Sequence, residues 1–117
     1  MGRSERNKGK RGQSEALDVL TERGYAIAEL SAGRACEDLY GMDPHGNAVA
    51  IEVKNTAATR WAATRTQARD QARRRGCSWL VMHRVPGHPY TFVVEGADMR
   101  PVVWRGAGNA SRCSDPA

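Results

Sequence analysis

The sequence has no apolar run of about 18 residues, the length at which a helix can cross a bilayer, and no short apolar core behind a basic leader. No membrane partner is expected, and the protein is expected to be soluble and cytoplasmic. Cysteine is scarce: Cys36, Cys77 and Cys113 are odd in number and far apart. That spacing excludes a disulfide framework and a Cys-x-x-Cys zinc site, and reads as free thiols in a reducing compartment. A glycine-rich phosphate loop and repeated units are also missing, so neither ATP dependence nor a repeat architecture is expected. Acids are in deficit, 13 Asp and Glu against 18 Lys and Arg, which leaves a formal charge of +5 and a pI near 9.6. This balance favours a polyanionic partner, with nucleic acid the first candidate. At 117 residues the chain has room for one core and not for two.

Residues 1–11 carry Arg3, Arg6, Lys8, Lys10 and Arg11 against Glu5 alone, and few apolar residues to fold them. They read as a mobile basic arm that contacts phosphate. Gln13 to Arg23 reads as a helix with an apolar stripe of Ala16, Leu17, Val19 and Leu20, stopped by Gly24. Strands are expected at Tyr25–Leu30, Cys36–Met42, Val49–Lys54, Ser78–Val85 and Tyr90–Glu95. Pro101 to Trp104 is read as an edge strand or a docking segment. Asn55 to Thr64, with Trp61, reads as a loop, and Arg65 to Arg75 as a helix ended by Gly76. Arg60, Arg65, Arg69 and Arg73 make this the most basic part of the chain. Acids that would neutralise them at i,i+4 are nearly absent, so they are candidate DNA contacts. The expected organisation is a basic arm (1–11), one domain (12–104) and a disordered tail (105–117). The expected fold is α/β, a mixed central sheet flanked by helices.

The chain is organised around Val49-Ala50-Ile51-Glu52-Val53-Lys54. Branched apolar residues alternate with Ala50, Glu52 and Lys54, so on a strand the apolar set meets a core while the acid and the base leave from the other face. Glu52 and Lys54 would then stand about 7 Å apart, a spacing suited to gripping one phosphate. Asp38 lies in the preceding strand, and Asp43-Pro44-His45-Gly46-Asn47 is turn chemistry that joins the two as a hairpin. Asp38 is thereby brought beside Glu52. Two carboxylates about 4 Å apart repel by roughly 4 kcal/mol at an effective dielectric of about 20, and a divalent cation turns that cost into attraction. Oxygen donors favour Mg²⁺ or Mn²⁺ over Zn²⁺.

An Asp, a hairpin and then Glu-x-Lys resembles the signature of the PD-(D/E)xK nuclease superfamily. From about Gly12 to Val94 the order of elements is most similar to that of the archaeal-type Holliday junction resolvases, some of them carried by phages. The resemblance implies a restriction-endonuclease-like core and a Mg²⁺-dependent endodeoxyribonuclease that cuts four-way junctions in DNA recombination and repair, leaving 5′-phosphate and 3′-hydroxyl ends. It implies Asp38, Glu52 and the Val53 carbonyl as metal ligands, with Lys54 orienting the water or stabilising the developing charge. Gln67 matches a glutamine that many members place on the following helix, and Gln71 is the alternative one turn on. Ser31 and Arg34 fall in a Ser- and Gly-containing loop that would touch phosphate. The family often precedes the aspartate with proline, where this chain has Glu37, which on an alternating strand points away from Asp38.

The resolvases also take an acid from the first helix. Counting back from Gly24 puts Gln13 at that place, and Glu15 follows about 200° further round the helix. Glu15 is read either as a further site residue or as a first-turn acid complementing the helix dipole. A four-way junction is close to two-fold symmetric and each chain has one Asp-Glu-Lys cluster, so a homodimer is expected, with Val102-Val103-Trp104 in its interface. The other readings are a less structure-selective DNA nuclease of the same superfamily and a non-catalytic basic DNA-binding module.

Overall fold

The computed structural model describes the backbone of residues 2–30, 39–55 and 61–107, and the side chains of 11–28, 39–55 and 61–107. Ala16, Val19 and Leu20 recur at the spacing of one helical face, and all three are fully buried on α1 (Gly2–Glu22). The helix ends where Gly24 takes φ 91°, letting the Tyr25 N–H reach back to the Leu20 carbonyl (3.0 Å) and the Gly24 N–H to that of Thr21 (3.1 Å). These two bonds satisfy carbonyls that the helix leaves open. Residues 2–11, expected as a mobile arm, continue α1 without a break.

The strands are β1 (Ala26–Leu30), β2 (Leu39–Met42), β3 (Ala48–Lys54), β4 (Ser78–Arg84), β5 (Thr91–Gly96) and β6 (Met99–Arg105). They form one mixed sheet in the order β1-β2-β3-β4-β5-β6, in which β3 and β4 are parallel and every other pair is antiparallel. The parallel pair requires a crossover, supplied by α2 (Trp61–Arg75). The expected α/β fold, a mixed sheet flanked by helices, is the one observed.

Alternation along the strands separates two layers. Leu39, Val49, Ile51, Val53, Leu80, Met82, Phe92 and Val94 form the main core with Ala16, Val19 and Leu20 of α1. The opposite face of β3 and β4 buries Ala50 and Val81, and α2 covers it with Thr64, Ala68, Gln71 and Ala72. Small residues on both sides allow the helix to lie close to the sheet.

Three boundaries differ from the sequence reading. Trp61 opens α2 a turn earlier than expected, because Thr64 belongs to the same buried stripe as Ala68 and Ala72 although it carries no apolar signal. Arg105 to Ala107 are held rather than free: the Gly106 N–H donates to the Tyr90 carbonyl (2.8 Å) and the Ala107 N–H to Glu22 Oε1 (3.0 Å). Trp104, expected at a subunit interface, packs on its own chain, with Tyr25 at 5.9 Å between ring centroids and the Arg23 guanidinium 4.6 Å from its ring. Residues 108–117 lie outside the described residues.

Candidate active site

The hairpin that carries the acid–base pair is built as its sequence suggests. Asp43 Oδ1 accepts the N–H groups of His45 and Asn47, both at 2.9 Å, and closes the turn between β2 and β3. These bonds, Asn47's foremost, hold the Asp43 carboxyl below its ordinary pKa. In the resulting register Leu39 pairs with Ile51 and Tyr40 with Ala50. Ile51 faces the main core, so Glu52 and Lys54 leave from the α2 side. Lys54 Nζ lies 3.7 Å from Glu52 Oε2; the Glu52 side chain is 3% exposed and that of Lys54 34%.

Neighbouring strands extend this face. Lys54 pairs with His83, and Val81 pairs with Glu52 on one side and Glu95 on the other. Two strand spacings separate the carboxylate-bearing backbones of Glu52 and Glu95, roughly 10 Å. His83 is buried, and its ring meets Trp61 at 5.7 Å. Arg65, one turn into α2, lies 5.6 Å from the Trp61 ring and forms a two-point ion pair with Glu95 (Nε–Oε2 2.5 Å, Nη2–Oε1 3.0 Å). Those hydrogen bonds raise the Arg65 pKa further above its already high ordinary value. The sequence reading took β4 and β5 as strands without site residues and Trp61 as a loop residue. The signal for His83 was available: it shares parity with Val81 on a strand parallel to β3.

The remaining candidates divide. Asp38, Ser31, Arg34 and Arg60 lie outside the described residues. Arg3, Arg6, Lys8 and Lys10 are on helical backbone, with side chains outside the described set. Arg11, Arg69 and Arg73 are exposed, and no described acid pairs with Arg69 or Arg73. Arg65, a candidate DNA contact, forms an ion pair with Glu95. The Val53 side chain is in the main core, so any part it plays at the site is through its main chain.

Gln67 is exposed on the outer face of α2, beside Thr66, Asp70 and Arg74. Gln71 is the amide on the buried face, and its Oε1 has no hydrogen-bond partner among the described residues. The helical phase explains the exchange: Gln71 follows Thr64 and Ala68 at seven and three residues, and Gln67 does not fall on that stripe.

Glu15 is also displaced from its expected roles. It is far from the start of α1, buried, and on the opposite side of the sheet from Glu52. There it accepts Arg84 Nε (2.7 Å) and Nη2 (3.4 Å) and the Tyr90 N–H (2.9 Å). Among the described residues no three His, Cys, Asp or Glu side chains come together as a ready metal cage. No protein-family model, no characterised protein and no solved structure matches the chain.

Proposed function

We propose that the protein is a divalent-metal-dependent endonuclease acting on branched DNA, with four-way junctions its preferred substrate and a PD-(D/E)xK arrangement as its site. The observation that carries this reading is the placement of Glu52 and Lys54, a deeply buried carboxylate and a partly exposed ammonium 3.7 Å apart on the non-core face of β3. A carboxylate removed from water is costly unless a cation compensates it. Lys54, at 3.7 Å, supplies part of that compensation from the same face.

The second carboxylate of the proposed site is Asp38. Asp38 directly precedes Leu39, Leu39 pairs with Ile51, and Ile51 directly precedes Glu52. Both acids supply hard oxygen donors, which fit Mg²⁺ or Mn²⁺, and the Val53 carbonyl would complete the protein's share. Bound by these donors, such an ion would lower the pKa of water and offset charge at the phosphate. Lys54 orients the attacking water or stabilises the phosphoryl oxygens, and the exposed Arg69 and Arg73 hold flanking phosphates. The net charge of +5 favours the encounter with DNA.

The test is cleavage of labelled four-way junction, fork, flap and linear duplex side by side, with Mg²⁺ and with chelator. Preferential, metal-dependent cutting of the junction is expected. Equal cutting of all four would make this a less selective nuclease, and binding without cutting would make it a DNA-binding module.

A further inference from the structure

Gly12 is anomalous for a residue in the middle of a 21-residue helix, where alanine is the better helix former. Its reason is contact. A Cβ added at Gly12 would stand 2.8 Å from the Asn55 Cβ and 3.4 Å from its Cγ and Nδ2. Real Cβ atoms do not approach that closely, so α1 can lie against the end of β3 only where it has no side chain. Asn55 is the residue after Lys54. On its other flank, Arg84 Nη1 donates to Asn55 Oδ1 at 3.5 Å. Arg84 is oriented in turn by Glu15, which receives both Nε and Nη2 and also holds the Tyr90 N–H. Tyr90 has φ 55°, the one non-glycine positive φ among the described residues.

We infer that Gly12, Glu15 and Arg84 form a clamp on Asn55 that sets the position of Lys54, and that Glu15 is a positioning residue rather than a metal ligand. The inference rests on the nuclease reading for its catalytic consequence, though not for its structural one. Lys54 has four rotatable side-chain carbons and is one-third exposed, so little on its own side of the sheet dictates where its backbone sits. Fixing the next residue from the opposite side of the sheet does. Glu15 cannot also serve a metal beside Glu52. Its oxygens are committed to Arg84 and Tyr90, and the sheet lies between the two carboxylates. The first-helix acid therefore acts through β3, and the ion is left to donors on the Glu52 side.

The experiment uses the full chain with Glu15→Gln, Arg84→Met, Asn55→Ala and Gly12→Ala, together with the Glu15→Gln/Arg84→Met double substitution. Gly12→Ala keeps the test open if the buried pair proves necessary for folding, because it raises helix propensity while striking Asn55. The first measurement needs neither DNA nor metal: amide hydrogen exchange of residues 53–55, well below the melting transition. Exchange about tenfold faster is expected in every folded variant, as local opening becomes easier. Unchanged exchange in folded Gly12→Ala overturns the clamp.

The second measurement is junction cleavage as a function of DNA and Mg²⁺. A misplaced Lys54 is expected to lower kcat by up to about 10²-fold, leaving KM for DNA and the half-saturating Mg²⁺ concentration within about twofold. The double substitution should fall no further than the worse single one, since both break one chain of contacts. Were Glu15 a ligand, Glu15→Gln would raise the half-saturating Mg²⁺ concentration and Gly12→Ala would not, which overturns the inference. Absence of cutting by the wild type with any DNA defeats the nuclease reading alone, and the exchange measurement still decides the clamp.

Discussion

Glu52 and Lys54 leave β3 on the side away from the main core, so changing their chemistry should spare the fold. Glu52→Gln keeps the shape of a residue that is 2% exposed and is expected to abolish cutting, as is Asp38→Asn, while DNA binding persists or tightens. Lys54→Ala should lower kcat by about 10²–10³-fold, the scale on which loss of one stabilising donor acts. Cleavage rates beside melting temperatures check all three, and wild-type rates in any of them would remove that residue from the site. The faces of Glu52 and Lys54 were legible because strand alternation assigns faces from sequence alone. Glu15 was not legible in the same way. Its partners Arg84 and Tyr90 are 69 and 75 residues away, and no local pattern announces a pairing of that range.

At the scale of elements, α2 holds its arginines in different states. Arg65 is paired with Glu95, whereas Arg69 and Arg73 are exposed. If each of the latter two contacts one phosphate, Arg69→Ala and Arg73→Ala should each reduce the slope of log affinity against log salt by about 0.9. Arg65→Ala should leave that slope unchanged and instead release Trp61 and Glu95, read out by tryptophan fluorescence and a lower melting temperature. A salt slope reduced as much by Arg65→Ala would mean that the Glu95 pair opens on DNA. The basic character of this helix was legible; which arginine is engaged was not, because Glu95 lies on a strand that reaches Arg65 only through the crossover.

The β2–β3 hairpin supplies a test by pH. Because the Asp43 pKa is depressed in the folded state, first by the Asn47 N–H, its ionised form favours folding. That contribution is complete above the unfolded value of about 3.9 and is lost as pH falls through the lower folded value. Asp43→Ala should therefore melt below the wild type by a gap that is constant from about pH 7 to pH 5 and narrows below about pH 4. A gap unchanged at acid pH would assign its origin to packing rather than to the charged turn.

For the whole molecule, the proposed junction cutting leads us to expect a two-fold dimer, since paired incision needs two sites and each chain carries one Glu52–Lys54 pair. The edge strand β6 carries Val102 and Val103, 41% and 63% exposed, while Trp104 is turned onto Tyr25 and Arg23. Val103→Asp, and not Trp104→Ala, is accordingly the substitution expected to separate the subunits without unfolding them. Light scattering before and after that change, with a cruciform plasmid as substrate, checks it: the dimer should linearise the plasmid directly and the separated subunits only nick it. A wild type that is monomeric both free and on DNA would rule out paired cutting.

The sequence by itself determined the α/β class, the order of elements, the two helix stops at Gly24 and Gly76, and the face from which Glu52 and Lys54 emerge. Each is a local or periodic property, written within a few residues by alternation, helical phase or a glycine at positive φ. Only the tertiary structure decided that Glu15 answers to Arg84, that Gln71 rather than Gln67 is buried, that Arg65 belongs to Glu95, and that Gly12 leaves room for Asn55. Those are meetings between segments distant along the chain. They depend on the order and register in which the six strands pair and on how closely two helices can approach the sheet, quantities that packing sets and that no single stretch of sequence carries.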